Sequence, residues 1–368
     1  MADSDLYIGL ISGTSVDGVD CALIRFDDNQ PEIVDTHFLE IDPALKQRIL
    51  NLCSGNKINL GLLGEVDIEI GCLFASAVNH LLDKSQTASA AIKAIGSHGQ
   101  TVWHQPEGDH PFTLQIGDPN TIAELTGITT VADFRRRDLT AGGQGAPLAP
   151  LLHRNCFASK VTDRVIINIG GISNITVLPA DGKCFAFDTG PGNVLMDYWI
   201  NKNHGRSFDV NGDWARTGTI TSELLSRLSA ESYLSLPHPK STGRELFNGE
   251  WLEGHLGIAP GISEVDVQAT LLEFTATTIV SSVLASLTPE QAFVCGGGAH
   301  NSYLIDRLQA LLLECTVNTT SKLGIDPDWV EATAFAWMAR ETLAGRKIDT
   351  SPFTGAASPV FLGGIYQA

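Results

Sequence analysis

The sequence predicts an α/β protein built from two related lobes. Short apolar strands alternate with helical patterns along the chain, which is typical of α/β architecture with largely parallel central sheets. The length of 368 residues corresponds to two to three domains at roughly 150 residues each. The glycine turn at 11–15 also has a counterpart 158 positions later, at 169–173. That distance is one domain length, so we interpret the pattern as an internal duplication.

The first lobe opens with three strands and continues with helices whose apolar residues recur at three- and four-residue spacing. Its predicted strands are 6–11, 21–26, 32–41, 94–97 and 129–132, with a hairpin-like segment at 101–115. Its predicted helices are 43–53, 61–83 and 119–126. The basic and glycine-rich stretch 134–147 is expected to be a loop at a domain boundary.

The second lobe repeats the opening pattern after a predicted helix at 148–157. Its predicted strands are 165–169, 172–178, 183–187 and 292–295, and its predicted helices are 191–203, 219–229, 263–287, 300–313 and 328–344. Ser263 to Asp266 resembles a capping box, which predicts where the long helix begins. We expect one lobe at 1–134, completed by 340–368, and the other at 135–339.

Composition excludes several classes of function. The net charge is −18 and the isoelectric point is near 4.8, which disfavours nucleic acid and anionic membranes as partners. The seven cysteines form no CxxC pair and indicate reduced thiols. The N-terminal residues lack the features of an export signal, and no apolar stretch reaches about 18 residues. The expected location is therefore the cytoplasm.

Two glycine turns are candidate phosphate sites. The first, SGTSVDGVD at 12–20, lies between two predicted strands, where backbone N–H groups and hydroxyls can surround an anionic oxygen. The second, NIGGISN at 168–174, is its counterpart after the duplication. An ordinary hairpin is the alternative explanation for each turn alone. Two facing turns could hold a triphosphate, whereas the P-loop signature GxxxxGK[ST] is absent from the sequence.

The segment DTGPGN at 188–193 places Asp188 between a strand and a helix. A carboxylate at that edge of an α/β sheet lies where ligands bind and is suited to act as a general base. The alternative is that Asp188 only caps the following helix.

The glycine triplet in CGGGAHN, 295–301, follows the last predicted strand of the second lobe. Three residues without Cβ atoms would let a flat ring such as adenine lie against the backbone. A tight strand-to-helix turn is the alternative explanation.

Polar residues at 98–104 and 135–137 form two further candidates. His98 and His104 in SHGQTVWH lack an obvious third ligand, so contact with a substrate or structural hydrogen bonding is favoured over a metal site. Arg135, Arg136 and Arg137 form the only dense basic cluster. A solvated run is the usual explanation for such a cluster, but here one arginine could reach a substrate anion.

In this order, the glycine turns, strand-end aspartate and glycine triplet resemble the sugar kinase/Hsp70/actin superfamily. The strings SGTSVDGVD, SHGQTVWH, VADFRRRD, AGGQGAPLAP, NIGGISN, FDTGPGN and GGGAHN are similar to those of the anhydro-N-acetylmuramic acid kinase family. Together with DWVEATAFAWMA near the end, they cover nearly the whole chain. The resemblance implies a duplicated, ribonuclease H-like actin fold with a cleft between lobes that close on ATP and sugar.

The resemblance further implies conversion of 1,6-anhydro-N-acetylmuramic acid to N-acetylmuramic acid 6-phosphate, with ATP and Mg²⁺, in cell-wall recycling. Asp188 would activate water, and a nearby Arg136 would keep Asp188 ionised. The residues implied for the sugar are His98, Gln100, Thr101, Arg136, Asp188 and Glu331. Those implied for ATP are Ser12, Gly13, Thr14, Ser15, Asp17, Gly18, Asp20, Gly170, Gly171, Gly296, Gly297, Gly298 and Asn301.

No residue is assigned as a direct metal ligand, and the resemblance is compatible with a homodimer. Two alternatives stay open at this point. One is a kinase for another amino sugar or hexose on the same fold, and the other is a nucleotide-switched binding module.

Overall fold

The structure is a computed structural model that describes residues 5–27, 30–55, 59–257 and 261–368. Its strands are β1 Asp5–Ser12, β2 Gly18–Asp27, β3 Gln30–Glu40, β4 Ile92–Gln105, β5 Phe112–Ile116, β6 Thr130–Ala132, β7 Arg164–Ile169, β8 Ile172–Leu178, β9 Phe185–Pro191, β10 Gln291–Cys295, β11 Thr316–Thr319 and β12 Gly364–Tyr366. Its α-helices are α1 Pro43–Cys53, α2 Leu60–Ser85, α3 Pro119–Thr126, α4 Phe134–Thr140, α5 Ala149–Leu152, α6 Val194–His204, α7 Asp213–Arg216, α8 Ser222–Ser229, α9 Gly249–Gly257, α10 Glu264–Ser286, α11 Ser302–Leu311, α12 Val330–Leu343 and α13 Ser351–Thr354. The α/β class is confirmed.

The chain divides into two compact units. Unit 1 contains the residues up to Cys156 together with Trp329–Ala368, and unit 2 is Phe157–Asp328. These bounds differ from the expected lobes because 135–156 and 329–339 belong to unit 1.

The sheet of unit 1 has the order β12-β6-β4-β1-β2-β3, and β5 pairs with β4. Strands β1, β4 and β6 are parallel neighbours, whereas β1-β2-β3 is an antiparallel meander. The core of this unit forms where α1 and α2 pack on the sheet, with Ile49, Ile70 and Phe74 fully buried.

The sheet of unit 2 repeats this topology in the order β11-β10-β7-β8-β9. Strands β7, β10 and β11 are parallel, and β7-β8-β9 is an antiparallel meander. The meander and the parallel neighbours correspond one to one to those of unit 1, so the duplication predicted from the two glycine turns is present as a repeated fold. Both sheets are mixed, which corrects the expectation of largely parallel central sheets.

Helix α12 packs directly on the sheet of unit 1 at two glycines. A Cβ at Gly9 in β1 would overlap the carbonyl oxygen of Ala332, and one at Gly96 in β4 would overlap that of Phe335. The absence of side chains at these two positions lets the helix backbone approach the strands. This packing accounts for the assignment of 329–339 to unit 1.

The stretch 134–147 was expected to be a loop, but it begins as helix α4. The helix buries Phe134, Asp138 and Leu139, a short pattern that the arginine run hides in the sequence. The fully buried Asp138 accepts hydrogen bonds from the backbone N–H of Gly145 at 2.7 Å and from the Thr354 hydroxyl at 2.8 Å. A buried carboxylate that is satisfied in this way holds the glycine-rich loop after α4 in place.

Helix ends follow their capping residues. Asp42 accepts hydrogen bonds from the N–H groups of Ala44 and Leu45 at the start of α1, and Ser263 accepts one from Asp266 at the start of α10, as predicted. Helix α10 is apolar and long enough to span a membrane by length and composition alone. However, 67% of its most apolar stretch is buried within the protein, and the core helix of a soluble protein passes the same test.

Candidate active site

In unit 2, the second glycine turn and the DTGPGN segment form one hydrogen-bonded structure. The carbonyl oxygen of Gly170 accepts from the N–H of Asn193 at 2.8 Å, and that of Gly171 accepts from Gly192 at 2.9 Å. Gly192 is required for this approach because a Cβ there would overlap the Gly170 carbonyl. The turn between β7 and β8 is therefore fixed against the beginning of α6.

The glycine triplet contacts the same turn. A Cβ at Gly296 would overlap Asn168, and one at Gly298 would overlap the Ile169 side chain. β7 and β10 are parallel neighbours with Cys295 in register with Asn168, so the two loops leave the same edge of the sheet. Three segments predicted separately thus meet at the carboxyl ends of two parallel strands, where α/β folds bind ligands.

Four of the predicted glycines have no structural need to be glycine. A Cβ would meet no atom within 4 Å at Gly13, and it would only make ordinary contacts at Gly170, Gly171 and Gly297. None of the four has a positive φ. These positions have room above the backbone, which is compatible with a ligand that lies against it.

Asp188 lies in the middle of β9, which continues to Pro191, and not at the end of a strand as expected. It is held by a polar segment that follows Lys240. Its Oδ2 accepts hydrogen bonds from the Ser241 hydroxyl at 2.9 Å and from the backbone N–H of Thr242 at 3.1 Å. Its Oδ1 accepts none from the residues that the structure describes. The residue before α6 is Asn193, so the alternative that Asp188 only caps this helix is wrong.

The surroundings of Asp188 make its carboxylate more basic. Burial raises the pKa of Asp188, the hydrogen bonds from Thr242 and Ser241 lower it, and the negative charge of Glu245 adds to the rise. Within unit 2, the ionised form of Asp188 is therefore favoured by Ser241 and Thr242. Arg136, which was expected to keep Asp188 ionised, forms an ion pair with Asp133 in unit 1 at 3.3 Å. A partly buried carboxylate with one unbonded oxygen can accept a proton from water.

The first glycine turn, between β1 and β2 in unit 1, is held in place by a buried side chain. Val16 has a left-handed backbone, with φ of 55°, and its side chain is fully buried. A β-branched residue rarely adopts this conformation, and packing in the core holds it there. The adjacent Thr14 and Ser15 are exposed, and Asp17 forms an ion pair with Lys46 at 2.5 Å. The turn presents hydroxyls to solvent on a fixed backbone.

The predicted residues on β4 are linked to the end of β1. The buried Ser12 hydroxyl donates to Gln100 Oε1 at 2.6 Å, and Gln100 Nε2 donates to the backbone carbonyl of Thr101 at 3.2 Å. The Thr101 hydroxyl accepts from Gln115 at 3.1 Å. The structure therefore brings Ser12, Gln100 and Thr101 into one hydrogen-bonded series.

The imidazole of His98 is neutral, and both of its nitrogen atoms form hydrogen bonds. Its Nε2 accepts a hydrogen bond from Arg135 Nε at 3.0 Å, so the proton is on Nδ1, which donates to the Gly99 carbonyl at 3.0 Å. Burial and the charge of Arg135 hold the pKa of His98 well below its ordinary value. Burial also lowers the pKa of Arg135 to about 10, and Glu331 opposes that change.

Arg136 and His98 line one cavity in unit 1, together with Ser97, Asp133 and Tyr366. The cavity volume is about 210 Å³. Burial raises the pKa of Asp133, and the charge of Arg136 lowers it. The cavity combines a guanidinium, two carboxylates and hydroxyls, which are groups that form hydrogen bonds with a polar ligand.

Glu331 lies in the first turn of α12, where its side chain is open to solvent. Crowding by protein atoms still raises the pKa of its carboxyl group, and the positive charge of Arg135 opposes the rise. Arg135 thus connects His98 and Glu331 electrostatically.

The family comparison decides the identity of the chain. The family model described as anhydro-N-acetylmuramic acid kinase matches residues 5–368. The chain belongs to the anhydro-N-acetylmuramic acid kinase family. The protein of that name from Vibrio cholerae is 49% identical over 368 residues, covering 100% of this chain and 99% of the relative. That from Aliivibrio fischeri is 48% identical, covering 98% and 99%.

Solved structures are similar at much lower identity. The activator of 2-hydroxyisocaproyl-CoA dehydratase from Clostridium difficile has a TM-score of 0.45 at 13% identity, covering 94% of this chain and 99% of that one. A ROK family glucokinase from Streptomyces griseus has a TM-score of 0.40 at 13% identity, covering 91% and 99%.

One of the predicted site residues has a structural role, and some residues that contact the site were not predicted individually from the sequence. Asn301 caps α11 by accepting from the N–H of Leu304 at 3.0 Å, which explains its presence without a ligand. Ser241 and Thr242 were not predicted, because a Ser-Thr pair in a loop carries no signal until its contact with Asp188 is known. Arg135 was visible only as part of the arginine cluster.

Proposed function

We propose that this protein is an ATP-dependent kinase that converts 1,6-anhydro-N-acetylmuramic acid to N-acetylmuramic acid 6-phosphate. Family membership over residues 5–368 supports the reaction, since the curated relatives carry the name of that kinase. The observation that carries the mechanism is the partly buried Asp188, with one carboxylate oxygen held by Ser241 and Thr242 and the other unbonded among described residues.

In the proposed mechanism, Asp188 removes a proton from water as the water oxygen attacks the anomeric carbon. The bond between C1 and O6 breaks, and its electron pair remains on O6. O6 then bonds to the γ-phosphorus of ATP, and the bridging oxygen leaves with ADP. The phosphoryl group takes the place of the acid that a glycosidase would use to protonate the leaving oxygen.

For the sugar, we assign His98, Gln100, Thr101, Arg136 and Glu331. The guanidinium of Arg136 suits the carboxylate of the lactyl group, because arginine pairs with carboxylates through two parallel N–H donors. His98 is neutral and held by Arg135, so its role is to shape the wall of the cavity without moving a proton.

For ATP, we assign the two glycine turns and the triplet: Ser12, Gly13, Thr14, Ser15, Asp17, Gly18, Asp20, Gly170, Gly171, Gly296, Gly297, Gly298 and Asn301. The turn hydroxyls and backbone N–H groups suit phosphate oxygens. The free space above Gly297 supports placing the adenosine there.

Mg²⁺ would enter as the ATP complex. No group of three or more metal-ligating side chains occurs in 5–27, 30–55, 59–257 and 261–368. This fits an ion that is held mainly by phosphates and water with one or two carboxylates. Bound with ATP, the ion would neutralise phosphate charge, and no residue of this chain is assigned as its direct ligand.

The cellular setting is a proposal that rests on the sequence and the family. We propose a cytoplasmic enzyme in peptidoglycan recycling, without nucleic acid or membrane partners, and as a homodimer. Light scattering coupled to size exclusion tests the dimer: a mass of about 39 kDa, that of one chain, would contradict it.

A coupled ADP-release assay tests the function. We expect turnover with 1,6-anhydro-N-acetylmuramic acid and none with N-acetylmuramic acid or glucose. Asp188→Asn keeps the size of the side chain and removes its basicity, so it should lower kcat by about a thousandfold or more. Circular dichroism and ATP binding serve as controls for its fold. Full activity of Asp188→Asn would remove Asp188 from the mechanism. Turnover of glucose without turnover of the anhydro sugar would contradict the proposed substrate.

A further inference from the structure

Unit 2 contains a cavity of about 570 Å³ that the proposed reaction does not use. It is bounded by Phe187 and Thr189 of β9, the second half of α10, and the segment that includes Ser235 and His238. The volume is in the range of cavities that bind small molecules.

The cavity has an unusual charge for this protein. The chain as a whole carries a net charge of −18, yet none of the fifteen residues that line the cavity is acidic. Lys240 provides a positive charge, and eight of the lining residues carry hydroxyl groups. An acid-free cavity with a cation favours an anion over a neutral or positive ligand.

The ammonium group of Lys240 is available for such a ligand. It donates hydrogen bonds to the backbone carbonyls of Leu234 at 2.9 Å and Tyr233 at 3.3 Å. An ammonium has three donors, so one N–H remains after these two carbonyls, and the ammonium also lies 4.8 Å from the ring centroid of Tyr233 and 5.8 Å from that of Phe187. No carboxylate among the described residues forms an ion pair with Lys240.

An aromatic surface lies beside this charge. The exposed His238 ring stacks on Phe185 with centroids 4.4 Å apart and on Phe187 at 5.4 Å, and both pairs are nearly parallel. The lining also includes Leu236 and Pro237. Aromatic and apolar side chains next to a cation suit a flat ring that bears a negative group.

The cavity is distinct from the proposed catalytic carboxylate. Side chains alternate along a strand, so Phe187 points to the opposite side of β9 from Asp188, whereas Thr189 is the extra residue of a bulge in this strand. Asp188 does not line the cavity. The two sites adjoin each other: Phe187 and Thr189 flank Asp188 in β9, and the backbone N–H of Asp188 donates to the carbonyl oxygen of Lys240 at 3.2 Å.

We propose that this cavity is a second small-molecule site that binds an anion attached to an aromatic ring, with Lys240 as the anchor of the negative group. This proposal is independent of the kinase reaction, because it concerns a different set of residues.

The test uses the full chain and 1-anilinonaphthalene-8-sulfonate, an aromatic sulfonate whose fluorescence rises in an apolar site. We expect saturable binding at one site per chain. Lys240→Met keeps the aliphatic stem and removes the charge, and it should weaken binding at least fivefold. Ser281→Trp fills the cavity from an exposed helix position and should abolish binding. Lys183→Met, at an exposed lysine paired with Asp181, is the matched control and should bind like the wild type.

Saturating adenosine imidotriphosphate should leave the probe bound. Displacement by this ATP analogue would show that the probe occupies the nucleotide site, and it would overturn the proposal. Unchanged binding by both Lys240→Met and Ser281→Trp would overturn it as well. Kinase turnover is measured separately, so failure of this site and failure of the proposed function are distinguishable.

Discussion

The basicity of Asp188 is set by its burial and by the loop residues that donate hydrogen bonds to it. Its pKa is raised by burial, while the Ser241 hydroxyl and the Thr242 N–H favour the ionised form. A base acts only when it is ionised, so activity should fall as the pH drops through the raised pKa. Ser241 is therefore a positioning residue that also sets the pH range of the reaction.

Ser241→Ala should move the acidic limb of the pH profile of kcat/KM to higher pH. The lost hydrogen bond stabilises only the charged carboxylate, so its removal raises the pKa of Asp188 further, by about one unit. Thr242→Ala is the matched control, because its contact comes from the backbone and survives the change. An acidic limb that stays in place in Ser241→Ala would show that this bond does not tune the base.

The three consecutive arginines are distinguished by their contacts. Arg135 bonds to His98, Arg136 lines the 210 Å³ cavity, and Arg137 does neither. Arg136→Met should raise the KM for the anhydro sugar about tenfold by loss of a charge-assisted contact, with little change in the KM for ATP. Arg137→Met should leave both constants unchanged. Equal effects of the two substitutions would argue for a general charge effect of the cluster.

At the scale of elements, the packing of α12 on β1 and β4 depends on two glycines. Gly96→Ala places a Cβ on the carbonyl oxygen of Phe335 and should lower the free energy of unfolding by about 2 kcal/mol or more. Gly64→Ala is the control: it lies exposed in α2 with no atom within 4 Å of the new Cβ and should stabilise by up to about 1 kcal/mol. Chemical denaturation measures both. A neutral Gly96→Ala would contradict this packing.

The glycine triplet separates structural from functional glycines. Gly297→Ala fits the fold, since its Cβ would be 3.9 Å from the Asn193 amide, and it should raise the KM for ATP without lowering the melting temperature. Gly298→Ala overlaps Ile169 and should lower the melting temperature. Thermal unfolding and ATP kinetics on both variants test this. An unchanged KM for ATP in Gly297→Ala would contradict the proposed placement of the adenosine at this position.

For the whole molecule, the sequence was most informative where local patterns repeat. The alternation of strands and helices predicted the α/β class, and the second glycine turn predicted the duplication that the two sheets display. Hairpin turns at the two glycine segments implied the antiparallel pairs β1-β2 and β7-β8, whereas the antiparallel pairing of β3 with β2 and of β9 with β8 was not predicted, because strand direction leaves no mark on composition. Helix α4 was missed because three arginines hide its short apolar pattern.

The site was predictable to the level of segments. The glycine turns and the segment that contains Asp188 are visible in the sequence, and the structure brings 168–171, 192–194 and 296–298 together in unit 2. The partners that set their chemistry are distant in sequence: Ser241 is 53 residues from Asp188, and Arg135 is 37 from His98. Such pairs become visible only in the folded chain.

The central claim is that water, activated by Asp188, opens the anhydro bridge as O6 receives the phosphoryl group. The most direct measurement is turnover of 1,6-anhydro-N-acetylmuramic acid with ATP in ¹⁸O-water, followed by mass spectrometry of the sugar phosphate. The mechanism predicts one ¹⁸O at the anomeric carbon and none in the phosphoryl group. Label in the phosphate, or ADP release without a labelled sugar phosphate, would contradict it.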